Sequence, residues 1–68
     1  MKEELEKLGF EDFGDNLSRL IREESFEYIA VYKNNKEVWI GNRRNEVFLF
    51  KYNHEKLKQL TFLILLLS

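Results

Sequence analysis

The side chains able to do chemistry in this sequence are few. It has one histidine, His54, three serines, Ser18, Ser25 and Ser68, and no cysteine. The absence of cysteine removes disulfides and every thiolate zinc site. One histidine leaves other zinc sites short of ligands as well. A serine triad would require one of the three serines to find His54, and no nucleophile motif surrounds any of them. Two acids, Glu37 and Glu46, fall on one face of a proposed sheet, but the strand rise separates them by ~13 Å. Glycosidase carboxylates stand closer, at about 5–9.5 Å. We therefore expect no enzyme, no metal and no cofactor.

Binding chemistry is better represented. Lys33, Lys36, Lys51, Lys56 and Lys58 lie around one predicted turn, the end of the third predicted strand and a helix start. A cluster of that kind would suit phosphate or an acidic partner surface. Aromatic residues are dense between positions 26 and 52, and stacking platforms for bases use such rings beside basic groups. Here Glu37 and Glu46 sit among the rings instead of lysine or arginine, which favours burial or protein contact over nucleic acid.

The elements that would position these groups follow from spacing. Residues 2–8 read as a short helix, closed by Gly9 with Phe10 folding back onto Leu5. Phe13, Leu17, Leu20 and Ile21 recur near the 3.6 period, which predicts a second helix over roughly 11–24. Residues 26–33, 37–41 and 46–52 are rich in β-branched and aromatic types and read as strands. A two-residue turn at Asn34-Asn35 would pair Val31 with Val38 and Ala30 with Trp39. A turn at Arg43-Arg44 would set Ile40 against Val47, Trp39 against Phe48 and Val38 against Leu49. This register places Ile29, Val31, Val38, Ile40, Val47 and Leu49 on one face. The other takes Tyr28, Ala30, Tyr32, Trp39, Phe48, Phe50 and Tyr52. It also aligns Lys33, Lys36 and Lys51 in a row. Asn53 would cap a last helix over about 54–67, with Leu57, Leu60, Ile64 and Leu67 in one stripe; a short strand over 61–67 is the competing reading.

The expected fold is thus α+β, a three-stranded antiparallel meander flanked by helices in the order α-(α)-β-β-β-α, in a single domain over residues 1–68. With 44% hydrophobic and 34% charged residues the chain is too apolar to be disordered. Its net charge of −1 is unevenly distributed: residues 1–27 carry nine acids and four bases, residues 28–68 seven bases and three acids. No apolar leader opens the sequence, and the run Leu60–Leu67 is far shorter than the ~20 residues of a membrane span. We read the protein as cytoplasmic. So small a chain gains from association. The sequence points to a non-catalytic module that binds another protein or itself, as a homodimer, through Trp39, Phe48, Phe50, Phe62, Leu65 and Leu66. The alternative is a small RNA- or DNA-binding module using the lysines.

Overall fold

The computed structural model describes residues 1–68. Its first helix, α1 (Lys2–Lys7), ends as its sequence dictates. Gly9 adopts a left-handed φ of 91° and donates its N–H to the Glu6 carbonyl at 3.0 Å, while Phe10 N–H reaches the Leu5 carbonyl at 3.1 Å. This paired closure satisfies two carbonyls that the helix end leaves open, and it folds Phe10 against Leu5. Both side chains are buried.

The next segment corrects the expected helix over 11–24. It forms two strands, β1 (Glu11–Asp12) and β2 (Asn16–Arg22), joined through Gly14 at φ 101°. Leu17 and Ile21, four residues apart, share a face in a strand as they do in a helix, so their spacing does not discriminate. The need for a strand comes from β3 (Glu27–Tyr32), in which Ile29, Ala30 and Val31 are buried in succession. A strand whose residues are buried on both sides of the pleat lies inside the sheet, and its backbone groups need partners along both edges. β2 supplies the second edge, pairing Leu17 with Val31, Ser18 with Ala30 and Leu20 with Tyr28; a bulge at Ile21 follows.

With β4 (Glu37–Gly41) and β5 (Glu46–Lys51) the sheet is a five-stranded antiparallel meander in the order β1-β2-β3-β4-β5. The three predicted strands are present, but as the last three of five. Val31 stands opposite Val38, Ile29 opposite Ile40 and Ala30 opposite Trp39, as the spacing predicts. The turn differs in detail: Lys36, not an asparagine, takes the left-handed conformation at φ 58°. Between β4 and β5, Trp39 faces Phe48 and Ile40 faces Val47, again as expected. Beyond them Val38 faces Phe50, not Leu49, because Leu49 is the additional residue of a bulge. One inserted residue reverses the alternation that follows it. Phe50 and Tyr52 therefore turn away from the aromatic face, and Lys51 turns onto it, opposite Glu37.

The last helix, α2 (Leu57–Leu67), is preceded by a 3-10 turn over His54–Lys56, and residues 61–67 are helical. The Asn53 side chain accepts the Lys56 N–H at 3.1 Å, the expected cap. Both helices cover the aliphatic side of the sheet. Leu5 from α1 and Leu60 and Ile64 from α2 pack with Leu17, Ile21, Ile29, Val31, Val38 and Tyr52 in one core. The opposite face of the sheet carries no helix.

Candidate interaction surface

The uncovered face presents Trp39 and Phe48, edge to face with centroids 5.6 Å apart. Trp39 Nε1 donates to Glu37 Oε1 at 3.2 Å, so the indole is anchored at its polar end. Phe48, on the edge strand β5, is 46% exposed. Phe50, grouped with them in the sequence, instead packs against the core at the flank of α2, as the bulge requires.

A second group on this face, not identified from the sequence, centres on Glu46. Gly41 stands opposite Glu46, and a Cβ there would come within 2.7 Å of Glu46 Cγ. The bare glycine leaves a lane across β4, through which Glu46 reaches the two tyrosines of β3. Tyr28 donates its hydroxyl hydrogen to Glu46 Oε2 at 2.6 Å, and Tyr32 lies 2.8 Å from Oε1 and 2.9 Å from Oε2. Between the two rings Ala30 supplies only a methyl group. Partial burial, then the bond to Glu46, pushes both phenols up to about 12. Phe26 packs edge to face on Tyr28 at 6.0 Å and is held at φ 53°, a strained conformation for a bulky residue. Phe13, on the β1–β2 turn, completes the border and is 63% exposed. The sequence signal was available in part: two tyrosines flanking an alanine, and a glycine on the neighbouring strand.

The outer side of α2 is the third apolar surface. Phe62, Leu65 and Leu66 are 56%, 72% and 70% exposed. They recur at i, i+3 and i+4 and so form one stripe, opposite the buried stripe of Leu60 and Ile64.

The lysines are not brought into one row. Lys33 Nζ lies 2.8 Å from Asp12 Oδ1, and Lys2 Nζ lies 3.2 Å from Asp12 Oδ2. Asp12 also accepts the Gly14 N–H, and these donors, Lys33 first, hold its carboxyl well below the usual range. Lys51 is opposite Glu37 on the open face, whereas Lys36 lies in the β3–β4 turn. Lys56 and Lys58 stand at the start of α2. Near them, His54 Nδ1 is 2.9 Å from Glu4 Oε2, and this bond is the main reason the Glu4 carboxyl titrates low. Tyr52 OH reaches the same carboxylate at 3.4 Å, its ionisation raised first by burial.

No protein-family model, curated protein or solved structure matches the chain. No helix is long and apolar enough to cross a membrane.

Proposed function

We propose that this chain is a non-catalytic interaction module that self-associates through the outer side of α2. The observation that carries the reading is the stripe of Phe62, Leu65 and Leu66, three large apolar side chains with more than half of their surface in water. Fully burying one such side chain is worth about 1.5–3 kcal/mol, so leaving three uncovered forgoes several kcal/mol. For a chain of 68 residues that is comparable to a sizeable part of its folding stability, ~3–10 kcal/mol. A helical stripe is self-complementary about a twofold axis, which makes a homodimer the simplest solution. Trp39 and Phe48 are the poorer centre for a dimer, since each already packs on the other.

The test is light scattering after size exclusion, on the unmodified chain and on the double variant Leu65→Glu, Leu66→Glu. The reading expects a dimeric mass for the first and a folded monomer for the second, because both positions are open in the single chain. A monomeric mass for the unmodified chain at high micromolar concentration overturns it.

A further inference from the structure

The Glu46 group on the open face has the makings of a binding site. Its residues border a shallow hollow of about 260 Å³ with Ala30 as floor, the rings of Phe13, Phe26, Tyr28 and Tyr32 around it, and the Glu46 carboxylate at one side. Glu46 is the only ionisable acid or base among the bordering residues apart from the two phenols. The chain has four ion pairs, Met1–Glu4, Lys2–Asp12, Lys33–Asp12 and His54–Glu4, and Glu46 takes part in none. It is a half-buried carboxylate without a cation.

We propose that this hollow receives the cationic head of one arginine or lysine side chain presented by another protein. Three features argue for that occupant. A carboxylate offers about four acceptor positions; Tyr28 takes one and Tyr32, shared between both oxygens, takes up to two, so at least one remains for a charged donor. Aromatic faces attract ammonium and guanidinium groups within about 6 Å of the ring centre. The chain already shows this at the rim, where the Arg43 guanidinium carbon lies 5.0 Å from the centroid of Phe26. Size is the third feature. Pockets for whole small molecules run to about 300–1,000 Å³, and this hollow falls just below that range, the scale of one side chain. The phenols remain neutral donors across the physiological range and leave the negative charge of Glu46 in place.

The site depends on the open face being uncovered and does not depend on association through α2, so the scattering experiment and the present one can fail separately. The test is an NMR titration of the full chain with Nα-acetyl-arginine amide and Nα-acetyl-lysine amide. Nα-acetyl-citrulline amide is the neutral isostere, and a short end-capped peptide whose only charged residue is one arginine is the protein-like probe. The cations are expected to move the resonances of Ala30, Tyr28, Tyr32 and Glu46 with millimolar affinity, at least about tenfold tighter than citrulline. The peptide is expected to bind at least as tightly as the free amide. Glu46→Gln should weaken the cations about tenfold, and Phe13→Ala, at an exposed position that the fold does not need, severalfold. An equal response to citrulline, or no response at these residues, overturns the site. Binding of the free amides with exclusion of the peptide overturns a protein-borne occupant.

Discussion

Replacing Glu46 by glutamine tests the electrostatics of the open face most directly. The carboxylate accepts hydrogen bonds from Tyr28 and Tyr32, and both phenols are pushed up from 10.0 to about 12, by burial first and by Glu46 second. Moving a phenol from 10.0 to about 12 corresponds to ~2.7 kcal/mol for each tyrosine. The two share one carboxylate and are partly open to solvent, so the pair together contributes less, about 2–4 kcal/mol. The folded state holds its phenolic protons more tightly than the unfolded chain does. Stability from this source is therefore complete below pH ~10 and is lost as pH rises toward ~12. Near-ultraviolet phenolate absorbance of the native protein should show no tyrosine ionising at its ordinary value, since Tyr52 is raised as well. In Glu46→Gln the Tyr28 and Tyr32 titrations should drop while staying above 10, because burial persists. Neutral-pH stability in urea should also fall, by about 1.5–3 kcal/mol for the loss of charge-assisted bonds. An exposed glutamate with no partners would cost within ~0.5 kcal/mol on substitution, so the size of the loss tells the anchored carboxylate from a free one. Two tyrosines ionising near 10 in the folded protein, or a Glu46→Gln titration identical to the unmodified one, would refute this account.

Four further outcomes follow from the packing. Leu60→Ala, at a fully buried position, should cost ~2.7–5 kcal/mol in a urea melt, and Val38→Ala less for its smaller side chain. Leu49→Ala, at a half-buried bulge, should cost less than Leu60→Ala, whereas the unbulged register would have made it a core position. Gly41→Ala would bring a methyl group to 2.7 Å from Glu46 Cγ and 2.8 Å from the Asn45 carbonyl; it should destabilise by about 1–3 kcal/mol and return the Tyr28 and Tyr32 titrations toward 10. Asn53→Ala removes the cap ahead of α2 and should cost ~1 kcal/mol by thermal melting, with fraying confined to residues 54–57 in hydrogen exchange.

The sequence by itself determined the features that depend on neighbours along the chain. Gly9 and Phe10 close α1 because a left-handed residue and a returning apolar one suffice for that motif. Asn53 begins the last helical segment by a local hydrogen bond. The Val31–Val38 and Trp39–Phe48 pairs were legible because short turns limit the register and a slip would mix two cleanly sorted faces. Tertiary structure alone decided the rest. Leu17 and Ile21 fit a helix and a strand equally well, and the choice fell to β3, whose buried run Ile29-Ala30-Val31 requires a partner on each edge. The apolar run is present in the sequence, but its burial on both sides of the pleat is not. The bulge at Leu49 left no mark in the residue types, yet it reversed Phe50, Lys51 and Tyr52 and kept Lys51 out of line with Lys33 and Lys36. The contact between Glu46 and the tyrosines needed three strands in order before it could form. Alternation and turn chemistry act over a few residues, whereas the side on which the helices pack, and hence which apolar face stays open, depends on how the whole chain is enclosed.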